Sequence, residues 1–165
     1  MLKLAIGGIL CFISAYLGIT GKNYYDKRYK YLVDFNEFVL SLIDGISYAK
    51  DRLPEISKKY ISSSKGVFCK DLEKYLDIIE STQDKEKIVK CFDCKYLKKS
   101  DRAYLTDFFL ALGKFDYDTQ ISKLNLCKAE MEKTLAKAEK DCKSTGSLLA
   151  KLGLLLGIAI MIILA

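Results

Sequence analysis

The chain of 165 residues contains no histidine. Histidine is the usual general base near neutral pH and the commonest metal ligand, so its absence excludes Ser-His and Cys-His dyads and histidine-ligated zinc. Proline occurs once, and alternating runs rich in Val, Ile and Thr are scarce. Because such runs form strands while Lys, Leu, Glu and Ala favour helix, the composition predicts an all-α protein without the usual parts of an enzyme.

A concentrated block of charge is also missing. The 27 basic and 21 acidic side chains give a net charge of +6, and they are mostly interleaved. A nucleic-acid interface would need the basic residues on one face or arm, so nucleic acid is not an expected partner. No glycine-rich loop follows a strand, since Gly7 and Gly8 lie inside an apolar segment. We therefore expect no nucleotide, other cofactor or small-molecule substrate.

Two long uncharged segments lie at the ends of the chain. No charge occurs between Lys3 and Lys22, or after Lys151. The first segment is just long enough to cross a bilayer as a helix, and the second is apolar throughout, as a helix that meets lipid on all sides should be. The sequence thus predicts an N-terminal transmembrane helix at residues 1–21, a cytoplasmic helical domain at 22–147 and a C-terminal transmembrane helix at 148–165. A cleaved signal peptide is the alternative for the first segment, but no small-x-small cleavage site follows it.

Basic residues flank both predicted spans on the inner side. They are Lys22, Lys27, Arg28 and Lys30 after the first span, and Lys143 and Lys151 before the second. On the opposite side of the two apolar segments, toward the chain termini, only Lys3 is basic. Because cytoplasmic flanks carry the excess of Lys and Arg, residues 22–147 are predicted to face the cytoplasm, with both termini across the membrane.

Both predicted spans carry small residues at spacings that permit close helix packing. Gly7 and Gly18 lie in the first span, and Gly153 and Gly157 form a small-xxx-small pair in the second. Such faces let two helices approach closely in lipid. These four glycines are the candidate packing residues. The alternative is that a membrane helix merely tolerates them.

Between the spans, apolar periodicity and turn residues predict six helical segments. Their approximate positions are 27–48, 54–61, 67–79, a short helix around Ile88, 100–112 and a long helix from Asp116 into the second span. The stretch Glu80–Asp84 offers a cap for the fourth helix, Ser100 followed by Asp101 caps the fifth, and Gly113 ends it. Because short connections make neighbours antiparallel, we expect a six-helix antiparallel bundle flanked by the two transmembrane helices.

The pair Cys91-Phe-Asp-Cys94 is the spacing with a chemical interpretation. Two such thiols ligate zinc or cycle as a dithiol, but zinc needs two further ligands and thioredoxin-type chemistry expects a βαβ unit. The pair leaves open the alternative of a cytoplasmic redox or metal-binding membrane protein. The other interpretation is two small apolar side chains packed in a reducing compartment.

A whole-length resemblance depends on the order and spacing of several short motifs. They are Met1–Leu4 with Gly7-Gly8; Leu42, Ile46–Tyr48 and Leu53; Leu105, Phe108, Leu112-Gly113, Asp116 and Gln120; and Leu152-Gly153 with Gly157. In these residues the chain resembles the family of AB proteins of the stage III sporulation operon in endospore-forming bacteria. It departs from the family pattern at Ala49, Arg52 and Phe109, and it has no tryptophan.

The resemblance implies a domain similar to the cytoplasmic domains of type II secretion F platform proteins. It also implies a place in the mother-cell membrane around the forespore, within the channel complex linking the two cells. The implied partner is the operon's AA ATPase, and a lone scaffold without a motor partner is the alternative. We expect the ATPase to contact Asp116 and Gln120, near the membrane-distal end of the last helix. Asp116 alternatively serves only as a helix cap.

Overall fold

A computed structural model describes the backbone of residues 2–81 and 85–164, and the side chains of residues 7–81 and 85–163. Helices dominate these residues and no strand occurs among them, as the composition predicted. The α-helices are α1 (Leu2–Asp44), α2 (Leu53–Ser63), α3 (Val67–Ser81), α4 (Lys85–Cys91), α5 (Lys99–Ala111), α6 (Tyr117–Asp141) and α7 (Ser147–Leu164). One π-helical turn, Gly45–Ala49, follows α1, and a second, Cys142–Gly146, joins α6 to α7.

The N-terminal helical region is more continuous than the sequence predicted. Separate helices were expected at residues 1–21 and 27–48, but α1 runs without interruption from Leu2 to Asp44. The stretch between those two predictions contains no proline, so nothing in it removes a helical hydrogen bond. The chain therefore lacks the predicted break after the first apolar segment.

The connection from α1 to α2 forms where the sequence predicted a break. Lys50 closes the π-helical turn with φ 53°, in the left-handed region that favours glycine. The backbone N–H of Arg52 then donates to Glu55 Oε2 at 3.4 Å. Pro54 occupies the first turn of α2, where its missing N–H has no intrahelical partner to lose.

The start of α5 corrects one prediction. Ser100 was expected to cap the helix, but α5 already begins at Lys99 and Lys98 is the residue before it. The backbone N–H of Lys98 donates to Asp101 Oδ2 at 3.1 Å. Asp101 therefore stabilises the helix start from its third position. The predicted cap at Glu80–Asp84 rests on residues 82–84, which lie outside the described residues.

By its internal contacts the chain divides into two units. The hairpin unit comprises Met1–Tyr29 and Ala136–Ala165, and the bundle unit comprises Lys30–Leu135. In the bundle unit, α3 packs against both α2 and α4, and α4 packs against α5. The complete six-helix antiparallel arrangement and the membrane boundaries at residues 21 and 148 stay predictions.

The core of the bundle unit is aromatic. Phe109 lies at its centre, with its ring stacked on Phe92 at 4.3 Å between centroids and tilted against Tyr75 at 4.5 Å. Phe38 and Phe68 also approach the Phe109 ring. The apolar residues that recur at helical spacing in α1 are buried from Tyr31 to Leu42, whereas Ile46, at the same spacing, is half-buried.

Tyrosine hydroxyls in this core are hydrogen-bonded. Tyr31 donates to Asp71 Oδ2 at 3.0 Å, and Tyr75 donates to the backbone oxygen of Phe109 at 3.1 Å. Burying a polar group without a partner is costly, so these bonds let large aromatic side chains fill the interior. Burial also raises the pKa of Tyr31, and Asp71 raises it further.

Candidate interaction sites

The connection between α5 and α6 places Asp116 directly before the long helix. Gly113 turns the chain with φ +78°, which glycine adopts without steric cost. The backbone N–H of Thr119 donates to Asp116 Oδ2 at 3.2 Å, so Asp116 caps α6. Hydrogen bonds from the Thr119 side chain and backbone hold the pKa of the Asp116 carboxyl below its usual range. The residue is exposed, and its charge is accessible to a partner.

Gln120 lies one turn further along α6 and is 7% exposed. Among the described residues, its buried Oε1 atom has no hydrogen-bond partner. Gln120 lines a cavity of about 170 Å³. Leaving a buried acceptor unsatisfied is costly, so a group that donates a hydrogen bond to Gln120 Oε1 inside this cavity would stabilise the site.

The walls of this cavity come from α5, the connection and α6. The other lining residues are Tyr104, Asp107, Phe108, Ala111, Leu112, Phe115, Lys123 and Leu124. At its edge the Lys123 ammonium lies 3.3 Å from the centroid of the Phe115 ring. The cavity is therefore mainly apolar, with one unpartnered acceptor inside. We call it the Gln120 cavity.

The hairpin unit brings Gly18 and Gly153 together. The Ser14 hydroxyl donates to the backbone oxygen of Gly153 at 2.8 Å. A Cβ added at Gly18 would lie 2.7 Å from the backbone oxygen of Leu149, and one added at Gly153 would lie 2.7 Å from that of Ser14. Since real Cβ atoms do not approach so closely, only glycine permits this separation of α1 and α7.

Gly157 extends the same contact by one turn. A Cβ at this position would meet Cys11 Sγ at 2.9 Å and the Cys11 backbone oxygen at 3.0 Å. Gly7 is buried as well. Three of the four glycines singled out in the sequence, Gly18, Gly153 and Gly157, thus lie along one contact between the two helices.

Polar contacts at the charged end of the hairpin unit were not expected from the sequence. The Cys142 thiol donates to Asp26 Oδ1 at 2.8 Å, and this bond raises the pKa of Cys142. Arg28, which is buried, forms an ion pair with Asp141 at 3.6 Å. The sequence placed Cys142 on an apolar stripe and Arg28 in a basic flank. Neither pattern reveals a partner more than a hundred residues away.

The two cysteines of the Cys-x-x-Cys pair differ in exposure. Cys91 is buried and Cys94 is half-buried, and both are free thiols. Burial raises the pKa of Cys91, which lowers the thiolate fraction needed for metal or redox chemistry. Within residues 2–81 and 85–164, no group of three or more metal-binding side chains is suited to hold an ion.

Large apolar side chains are exposed on both helices of the hairpin unit. Phe12 is 79% exposed and Ile163 is 82% exposed. One helix in the described part of the chain is long and apolar enough to cross a membrane, the continuous helix Tyr117–Ile163. The span predicted at residues 1–21 stays a prediction.

The comparisons with known proteins identify one family. The family model described as Stage III sporulation protein AB matches residues 3–165, essentially the whole chain. No curated protein is significantly similar to the chain, and no solved structure is.

Proposed function

The chain belongs to the Stage III sporulation protein AB family, and from this premise we propose that it is a non-enzymatic platform of the channel between mother cell and forespore. In this proposal the protein lies in the mother-cell membrane around the forespore. It binds the operon's AA ATPase and transmits the conformational cycle of that motor to other channel components. The whole-length family match is the observation that carries the proposal.

The hairpin unit supports the membrane part of the proposal. Its large apolar side chains point outward, while its small residues and backbone form the contact between α1 and α7. This distribution suits a pair of helices in lipid, where helix association depends on close packing rather than on burial of apolar side chains. We accordingly propose spans at residues 1–21 and 148–165, with residues 22–147 in the mother-cell cytoplasm.

The start of α6 is the proposed contact for the ATPase. Asp116 is exposed and charged, so it is available for an ion pair with a basic side chain of a partner. Gln120 is buried and lines the Gln120 cavity. The proposal therefore assigns the direct contact to Asp116 and a supporting position to Gln120. The backbone N–H of Gln120 donates to the backbone oxygen of Asp116 at 2.8 Å.

Calorimetry with the full chain in lipid nanodiscs and the purified AA ATPase tests this assignment. Wild type is expected to bind. Asp116→Asn keeps a helix cap but removes the charge, whereas Asp116→Lys removes the cap and reverses the charge. We expect Asn to weaken binding and Lys to weaken it further, because a rim charge acts through electrostatic complementarity.

The matched control is Asp77→Lys, which makes the same charge change at an exposed position of α3. It should bind the ATPase as wild type does. If the Asp116 and Asp77 variants all bind like wild type, the contact lies elsewhere. If wild type itself does not bind, the platform function is wrong.

A further inference from the structure

The Gln120 cavity has the size and chemistry to receive one aromatic side chain. Its volume is about 170 Å³, and an apolar cavity of about 150 Å³ is known to hold benzene. Its one unsatisfied polar atom among the described residues is an acceptor, Gln120 Oε1. An occupant that fits both properties combines a ring with a hydrogen-bond donor. A lipid chain supplies no donor, and water supplies no apolar contact.

The chain itself presents such a side chain. Tyr48 is 86% exposed, the highest exposure among the large apolar side chains described. It lies on the π-helical turn Gly45–Ala49, which ends at Lys50 in its left-handed conformation. An exposed tyrosine has an apolar ring and an O–H donor, the two features that an occupant of the Gln120 cavity needs.

Tyr48 and the Gln120 cavity lie at the same end of the bundle unit. Ile46 and Lys50, on either side of Tyr48, line a further cavity together with Tyr117. Tyr117 begins α6, and Gln120 follows three residues later. Because Tyr48 is exposed, it does not occupy the Gln120 cavity of its own copy. Tyr48 and the Gln120 cavity are therefore placed to form a two-fold contact between two copies. In such a contact each copy inserts its Tyr48 into the other copy's cavity.

We propose that two copies of the chain form a dimer in which Tyr48 of each copy inserts into the Gln120 cavity of the other. The Tyr48 hydroxyl donates to Gln120 Oε1 of the partner copy, and the ring contacts the apolar walls next to Ala111. This contact satisfies the buried acceptor and covers the exposed ring at the same time. It does not use Asp116, which is exposed and is not among the lining residues, so Asp116 variants test the ATPase contact separately.

Photo-crosslinking of the full chain in liposomes tests the geometry. Tyr48 is replaced by the photoreactive p-azidophenylalanine, which keeps a single ring, and this protein is mixed with a ¹⁵N-labelled copy. The proposal predicts crosslinks to residues 104–124 of the labelled copy, located by mass spectrometry. Ala111→Leu in the labelled copy fills the cavity and should abolish them. Crosslinks elsewhere, or none, overturn the proposal.

The dissociation constant of the full chain in detergent, measured by sedimentation equilibrium, tests the hydrogen bond. Tyr48→Phe removes only the donor from an exposed position, so folding is preserved. Two symmetric neutral hydrogen bonds are lost, which predicts about a 30-fold rise in the dissociation constant. Gln120→Leu should have a similar effect, and combining the two should add little because they remove the same bond.

Leu126→Ser is the matched control, because Leu126 is 63% exposed on α6 and does not line the cavity. It should leave the dissociation constant unchanged. A monomeric wild type overturns the proposal, and so does a dimer that is insensitive to both Tyr48→Phe and Ala111→Leu. ATPase binding by such a protein would leave the platform function standing.

Discussion

The contacts inside the hairpin unit differ in kind from the contacts inside the bundle unit. The hairpin unit brings backbone against backbone at Gly18 and Gly153 and leaves side chains such as Phe12 exposed. The bundle unit buries its large side chains around Phe109. In water, burial of apolar surface drives folding. In lipid the same burial contributes little free energy, and helices associate through close packing of small residues instead. The contrast is what the proposed membrane location of the hairpin unit requires.

Charge divides the units in the same way. The hairpin unit has eight basic and three acidic residues, a net charge of +5, and the remaining 19 basic and 18 acidic residues give the bundle unit +1. Most of the net charge of +6 therefore accompanies the apolar segments. Such a distribution favours a membrane surface with anionic lipids on the side where these basic residues lie.

The largest expected effect is in the core of the bundle unit. Phe109→Ala removes the ring at the centre of the aromatic cluster and should lower the free energy of unfolding by about 3–5 kcal/mol. Urea unfolding of the full chain in detergent, monitored by circular dichroism, measures it. Val89→Ala is the control, because Val89 is 48% exposed and its truncation should cost far less. Equal costs would show that the Phe109 cluster is not the core.

The hairpin contact should break without unfolding the bundle unit. Gly153→Leu with Gly157→Leu places side chains where Ser14 and Cys11 approach within 3.0 Å, so α1 and α7 must separate. Leu remains apolar, and membrane insertion should persist. Fluorescence energy transfer between dyes on the two helices should fall. Ala159→Leu is the matched control, because it adds the same side chain at an exposed position. Unchanged transfer in the double variant would show that the glycine contact does not hold the hairpin together.

A smaller, stabilising effect is expected at the turn after α1. Lys50 has φ 53°, a conformation that costs a residue with a side chain more than it costs glycine. Lys50→Gly should therefore raise the free energy of unfolding by about 1 kcal/mol. Lys59→Gly inside α2 should lower it by about the same amount, because glycine disfavours a helix interior. A destabilising Lys50→Gly would contradict the left-handed conformation.

The smallest effect is predicted for the Cys-x-x-Cys pair. Because Cys91 is buried and its pKa is raised, we expect these thiols to act as small apolar groups. Cells that carry the double variant Cys91→Ala, Cys94→Ala should sporulate close to the wild-type level in a spore-counting assay. Loss of sporulation with normal amounts of folded protein would restore the redox or metal-binding alternative.

Local patterns predicted much of the fold. Helices α2, α3 and α5 lie close to their predicted positions because Pro54, Gly66 and Gly113 mark the turns between them. The burial of Leu124 and Met131 followed from the helical period. The π-helical turns were not predicted, because no residue type signals them. The continuity of α1 was not predicted either, because the polar residues between 21 and 27 resemble a boundary between two helices.

The Gln120 cavity was only partly accessible to prediction. Gln120 precedes buried Leu124 by four residues and therefore lies on the same helix face, which is a signal that it is buried. Gln120 was instead predicted to contact the ATPase directly. A cavity depends on side chains from two helices and their connection, so no local pattern reveals it.

The central claim is that the bundle unit faces the cytoplasm while the apolar ends of the hairpin unit, residues 1–21 and 148–165, lie in lipid. Full-length protein carrying Leu126→Cys, an exposed position of the bundle unit, is produced in the plasma membrane of vegetative cells and treated with a membrane-impermeant maleimide. The wild-type protein, treated in the same way, measures how much label the native cysteines take up. The account predicts labelling of the new cysteine only after the cells are permeabilised. Labelling in intact cells would contradict it.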